Sequence, residues 1–216
     1  QYIYLSQFVD EVAGSAAVPA QKRAFLLQTI AYALEANDGT AAQNLIDKLT
    51  IDDTWTATEK AQLAYDKGRC MQLAFESVAL EFPIRVLRKR IEEKAKKRQQ
   101  AEKFYREAIG YRSASISTAA AYALAQMALH FRDAFRELPP PQELANDPDA
   151  LEEYTTWIED ELVFPAEDAA ASLLDVAHQI TLQLESYTTY SYRSAQALAE
   201  LKPDEYPVIR PSVSGD

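Results

Sequence analysis

Two histidines, one cysteine and a dense set of carboxylates are the residues of this 216-residue chain whose types could do chemistry. His178 follows Asp175 at i, i+3 spacing, which on a helix turns both side chains to one face and could place both on one metal ion. A di-iron centre in a helical bundle needs two such pairs and further glutamates. The other histidine, His130, has Met127 at the matching position, so the second pair is missing and a structural or surface histidine is the preferred reading. No His-Glu-x-x-His zinc motif occurs. The runs Glu152-Glu153, Glu159-Asp160-Glu161 and Glu167-Asp168 supply paired carboxylates, but glycosidase chemistry needs two carboxyls held across a sugar cleft. Adjacent acids on a helix point apart and form a solvated face. Asp147, Asp149 and Glu152 lack the glycine and spacing of an EF-hand calcium loop. Cys70 stands alone, which excludes an intrachain disulfide and a thiolate cage and leaves a buried, inert thiol. Neither a GxSxG nucleophile turn nor a GxxxxGK phosphate loop is present. The expectation is a chain with no catalytic residues, no metal and no cofactor, and therefore not an enzyme.

The elements that must position these side chains are helical. Glycine is scarce, with 5 residues, while alanine, leucine, glutamate and glutamine abound. Apolar residues recur at three- and four-residue spacing almost throughout, and sustained period-two alternation is absent. The spacing predicts a first helix over Tyr2–Val12 and a second from Pro19 to about Asn37, where Asn37-Asp38-Gly39 makes a stop and turn. A short helix over Ala41–Leu49 follows. Thr56 and Glu59 form a capping-box pattern that opens a helix reaching toward Glu81. Gly68 within it marks close packing against a neighbour. Pro83 ends that helix and opens a long one to about Ile109. Ser115 or Ser117 is a candidate cap for the next, which runs to Leu138 and stops at Pro139-Pro140-Pro141. Asp147-Pro148 starts another helix, to about Val163, which Pro165 breaks or kinks before a helix to Leu184. A last helix spans Tyr190–Leu201, and the proline-bearing tail over 202–216 reads as extended. Tyr187, Tyr190 and Tyr192 cluster there, with packing preferred over an interface role.

Charge is unevenly placed. The net charge of −11 disfavours nucleic acid as the main partner. Yet Arg85 to Arg106 holds ten basic and three acidic residues, whereas Glu137 to Tyr192 holds thirteen acidic residues and no lysine or arginine. Arg85, Arg88, Lys89, Arg90, Lys94, Lys96, Lys97 and Arg98 spread around most of one helix. Ala95 is the single apolar residue between Glu92 and Gln100, so that part is expected to project beyond the core. The preferred reading is a solubilising helix that pairs with the acidic region of the same chain. The functional reading is a docking surface for an acidic protein or anionic lipid headgroups. No apolar run is long enough to span a membrane. The chain begins at Gln1 without methionine and reads as a trimmed piece whose targeting segment could lie upstream.

Repeat periodicity is the remaining organising signal. A small residue, a large one four later and a small one three beyond mark the second helix of a tetratricopeptide unit. Ala101, Tyr105 and Ala108 fit this spacing, and Ala170, Leu174 and Ala177 fit it again. The helix between them is alanine-rich, with Ala121, Leu124, Ala125 and Ala128. The expected fold is an all-α tetratricopeptide-like α-α solenoid of antiparallel helix pairs over residues 1–201, with an insertion over 139–165 in the last repeat. Five stretches carry a family resemblance: Phe82-Pro83-Ile84-Arg85 through Lys94-Ala95-Lys96-Lys97; Ala101-Glu102-Lys103-Phe104-Tyr105; the alanine-rich helix ending in Phe131 and Phe135 before the three prolines; Glu152-Glu153-Tyr154 to Phe164-Pro165; and Leu198 to Pro207, the most distinctive. Together they cover about Thr56 to Pro207. On these the chain resembles tetratricopeptide-type envelope proteins of the bacterial gliding-motility group, the AglT-like proteins. The resemblance implies a non-enzymatic scaffold of a trans-envelope machine, associated with TolQ/TolR-like or ExbB/ExbD-like motors and TonB-like linkers, in the periplasm or at the periplasmic face of the outer membrane. Its implied partners are other proteins, envelope components among them. The alternative is a cytoplasmic tetratricopeptide adaptor or chaperone-like module that grips an extended peptide. A carboxylate clamp for that purpose would use asparagines and lysines on the first helices, and the chain has only Asn37, Asn44 and Asn146.

Overall fold

A computed structural model describes residues 19–144 and 146–206. The helix expected over Tyr2–Val12 lies outside the described residues, as does the tail beyond Tyr206. Among the described residues the chain is all-helical, with no strand. In order the α-helices are α1 (Pro19–Glu35), α2 (Gly39–Ile46), α3 (Ala57–Glu76), α4 (Ile84–Gly110), α5 (Ala114–Arg136), α6 (Pro148–Ile158), α7 (Phe164–Gln183) and α8 (Thr189–Leu201). A 3-10 turn, Gln142–Leu144, precedes α6, and a π-helical turn, Glu159–Val163, joins α6 to α7. The chain divides into two compact units. Of the described residues, one takes 19–79 together with 88–116; the other takes 80–87 and those from 117 to 206.

In the first unit, α1 and α2 pack on each other and on α3. Their apolar stripes meet in a core of Leu26, Ile30, Ala33, Leu34, Ala42, Leu45, Ile46, Trp55, Leu63 and Cys70. Local chemistry sets the ends. Asn37 takes a positive φ of 57°, and Asp38 caps α2 by accepting the Ala41 amide at 2.9 Å. At α3 the capping box is complete: Thr56 Oγ1 accepts the Glu59 amide at 3.2 Å, and Glu59 Oε2 accepts the Thr56 amide at 2.8 Å. Glu59 also receives Arg23 Nε at 2.8 Å. The buried Arg23 donates as well to the Thr54 hydroxyl at 3.0 Å and lies 5.0 Å over the Trp55 ring. One arginine thus ties α1 to the loop before α3. The Glu59 carboxyl is held below its ordinary range, first by the Thr56 amide, against desolvation, with Arg23 also helping.

α3 ends at Glu76, short of the expected Glu81, and α4 begins one residue after Pro83. Buried residues on two sides of α3 show that it is packed on both. Leu63 and Cys70 join the α1–α2 core, while Gly68, Gln72 and Phe75 meet α4. A Cβ at Gly68 would lie 2.7 Å from ring carbons of Tyr105, so the missing side chain is what lets the ring in. Tyr105 donates to Gln72 Oε1 at 2.5 Å, and its ring sits 5.7 Å from that of Tyr65.

The second unit is organised on α5, whose alanines Ala119, Ala120, Ala121, Ala123, Ala125 and Ala128 are all buried. Small side chains allow close helix approach on several sides. Ala125 packs with Ala171 and Leu174 of α7 and Leu198 of α8, joined by Tyr122, Leu173, Ala197, Leu201 and Tyr206. Neither Ser115 nor Ser117 caps α5; both lie within it. Asp147 does cap α6 through the Ala150 amide at 3.1 Å, with Pro148 in the first turn.

At Pro165 the regular α-helix is interrupted, but the helical run is not ended. The widened π turn carries the helix into α7, where the Phe164 amide reaches the Glu159 carbonyl and Pro165 sits in the first turn. α8 opens on a capping box of Thr188 and Ser191. After Lys202 the chain turns rather than extends: the Tyr206 amide bonds the Lys202 carbonyl at 2.9 Å, and its hydroxyl donates to Asp175 Oδ1 at 3.1 Å.

Candidate functional site

The basic run on α4 is not one surface. Arg85, Arg88, Lys89 and Lys96 are exposed, whereas Lys94 is completely buried. Its Nζ donates to the Phe75 carbonyl at 2.9 Å and the Val78 carbonyl at 3.0 Å, and lies 4.2 Å over the Phe75 ring. These carbonyls come from the last turn of α3 and the residues after it, where i→i+4 amides run out; Phe75 O also accepts the Val78 amide at 3.3 Å. Lys94 therefore serves as a C-terminal cap supplied by the neighbouring helix, and burial lowers its pKa to about 8. Its place in a docking surface is corrected accordingly, and so is the expectation that the stretch Glu92–Gln100 projects beyond the core. Arg90 and Lys97 pair with Glu93 at 3.2 and 3.8 Å, and Arg98 with Glu102 at 2.8 Å, all within α4.

The six residues at repeat-type spacing, Ala101, Tyr105, Ala108, Ala170, Leu174 and Ala177, are each fully buried. Burial pushes the Tyr105 hydroxyl well above its ordinary pKa. The Cys70 thiol, also buried, is pushed up to about 11, chiefly by desolvation.

In the second unit the acidic stretch is partly neutralised by α5. Glu167 accepts from Arg132 at 3.2 Å and Arg136 at 3.0 Å, and Arg136 also meets Glu159 of the π turn at 3.2 Å. Asp168 meets Lys202 at 3.3 Å. Around Trp157, which is 53% exposed, Asp149, Glu152, Glu153, Asp160 and Glu161 line an open concavity of about 490 Å³. Asp175 is engaged by Tyr206, and among the described residues no group of three or more His, Cys, Asp or Glu is placed to hold a metal ion. Tyr190 packs on Tyr122 with ring centres 5.8 Å apart, but Tyr187 and Tyr192 are exposed rather than packed. No helix among the described residues is long and apolar enough to cross a membrane.

The site that sequence reasoning missed is a trough in the first unit. Gln43, Ile46, Asp47 and Leu49, at and after the end of α2, meet Lys67 and Met71 of α3 and Gln100, Lys103 and Phe104 of α4 around a groove of about 720 Å³. Its apolar lining is Ile46, Leu49, Met71 and Phe104, and the Lys67 Nζ lies 5.9 Å from the centre of the Phe104 ring. A second groove, of about 440 Å³, shares Gln43 and Met71 with the first. Asn37, Thr40, Asn44 and Ser77 add neutral polar groups to its lining. Two of the three asparagines thus line one trough, with two lysines on the adjoining groove. Helix packing alone brings them together, and no local motif announces it. An open trough with an apolar lining and convergent polar groups has the form of surface that can take another molecule by shape and side-chain complementarity. No protein-family model, no curated protein and no solved structure matches the chain.

Proposed function

We propose that this chain is a non-enzymatic protein-binding module, a tetratricopeptide-like stack of helix pairs acting as a scaffold in a cell-envelope assembly. The observation that carries the protein-binding part is the trough of α2, α3 and α4, which side chains from three helices line and leave open. Full burial of Ala101, Tyr105 and Ala108, and of Ala170, Leu174 and Ala177, supports the repeat-type packing. The envelope assignment, with gliding-motility or TolQ/TonB-like machinery and a periplasmic location, rests on the resemblance of the stretches between Thr56 and Pro207. The second reading, a cytoplasmic adaptor that grips an extended peptide, is favoured by Asn37 and Asn44 lining the same trough.

Affinity capture from separated envelope and cytosolic fractions tests both. The baits are the native protein, a variant reversed in charge at Arg88, Lys89 and Lys96, and a trough variant, Met71→Trp. Capture of motor or TonB-like envelope components by the native bait, lost on Met71→Trp, is the expected result. Loss on the charge-reversed bait instead would move the contact to the exposed face of α4. Recovery of cytosolic proteins alone selects the adaptor reading, and equal recovery by all three baits refutes both surfaces.

A further inference from the structure

We propose that the groove of α2, α3 and α4 takes an acidic segment of a partner protein, seating one large apolar side chain on Met71 and Phe104 and pairing its carboxylates with Lys67 and Lys103. The inference rests on the protein-binding reading and names the chemistry of the partner. Three observations carry it.

The groove is apolar where a side chain would enter, with Met71 and Phe104 half-buried and facing the opening. Methionine and phenylalanine there offer adaptable contact area for an aromatic or branched anchor. The two lysines that line it form no ion pair with a carboxylate of the described residues; the pairs present engage other cations. Lys67 is held against the Phe104 ring, so less side-chain freedom remains to be lost on pairing. The one carboxylate in the lining, Asp47, already accepts from Gln43 Nε2 at 2.8 Å. A basic segment would bury these two ammonium groups without partners, which selects against it.

At a net −11 the molecule repels acidic segments in general, so one that binds must find local cations. The adjoining groove, with the side chains of Asn37, Asn44 and Ser77, offers amide and hydroxyl groups to the backbone of an extended peptide leaving the anchor site. It carries no charge of its own, so it adds length to the contact and leaves sign selection to Lys67 and Lys103.

Random peptides displayed on phage, selected against the full chain, test this. Enriched sequences should carry aspartate or glutamate beside a large apolar residue. Binding of a synthesised winner should weaken by at least about tenfold in Lys67→Glu/Lys103→Glu, with steep loss at high salt. The chain has two methionines, and the fully buried Met127 of the second unit serves as an internal control. In protein labelled at the methionine methyls, the winner should shift the Met71 resonance and leave that of Met127 in place. Neutral or basic winners that shift Met71 would overturn the acidic partner while leaving the trough a docking site. Winners that leave Met71 unmoved, or no winners at all, would overturn both. An unmoved Met127 resonance in the double variant shows that its second unit has folded, and a urea midpoint matching the native chain, read by the buried Trp55, shows the same for the first.

Discussion

Asp66 offers a direct test of the packing around α3. It lies between Leu63 and Cys70 on the side of α3 that faces the α1–α2 core and is 1% exposed. Oδ1 accepts from Gln62 Nε2 at 2.8 Å, and Oδ2 has no hydrogen-bond partner. Burial raises the carboxyl pKa from 3.8 to about 7, against a smaller opposing effect of the Gln62 bond. In the unfolded chain the group ionises near its ordinary value, so between the two pKa values the folded state holds a proton that the unfolded state has lost. The stability associated with the protonated form is complete below the unfolded pKa and falls as pH rises through the folded one. At about 1.4 kcal/mol per unit, the loss totals about 4 kcal/mol by neutral pH. Asp66→Asn keeps the acceptor for Gln62 and imitates the protonated acid. It should match the wild type near about pH 4 and exceed it by about 4 kcal/mol near about pH 8. Urea unfolding followed by tryptophan fluorescence reads this, because Trp55 is buried in the same unit whereas Trp157 is exposed. Other titrating groups cancel in the difference between the two proteins. A gap that stays constant with pH would refute the reasoning, since the carboxyl would then be ionised, or solvated, in both states.

Three further outcomes follow from contacts described above. Lys94→Ala should cost about 3 kcal/mol, from the lost stem, the lost bond to the Phe75 carbonyl and the Val78 carbonyl stripped of its ammonium partner, whereas Lys96→Ala on the exposed face should stay within about 0.5 kcal/mol; urea midpoints separate them. Gly68→Ala should destabilise by about 1–2 kcal/mol despite its gain in helix propensity, and Tyr105→Leu in the same chain should recover part of that loss in a double-mutant cycle. Arg136→Ala should cost at most about 1 kcal/mol, and its effect should shrink in about 1 M salt, as thermal melts at two ionic strengths would register.

Much of the helical frame is legible in the sequence because its signals are local. The Thr56–Glu59 box and the Asp147-Pro148 start act over a single turn, and both form where expected. The misreadings come from contacts between elements. Lys94 looks like one charge among many, although the three-four stripe Ile91, Lys94, Arg98, Ala101, Tyr105, Ala108 runs through it and marks the face that meets α3. Reading that stripe through the charged residues would have found it. Pro165 reads as a break or kink because a proline inside a helix forfeits a hydrogen bond, and the regular α-helix does give way there, to a π turn that no residue signature announces. The trough is invisible for the same reason: Asn44, Lys67 and Lys103 sit on three different helices.

The contact between Gly68 and Tyr105 also bears on how relatives of this chain would be recognised. A ring occupying the space of an absent side chain makes the two positions a single unit of inheritance. A lineage that gains bulk at 68 must shed it at 105, and a search that weighs each column alone would miss the exchange. Paired substitution at these two positions, 37 residues apart on consecutive helices, would mark common descent by a contact that neither position shows alone.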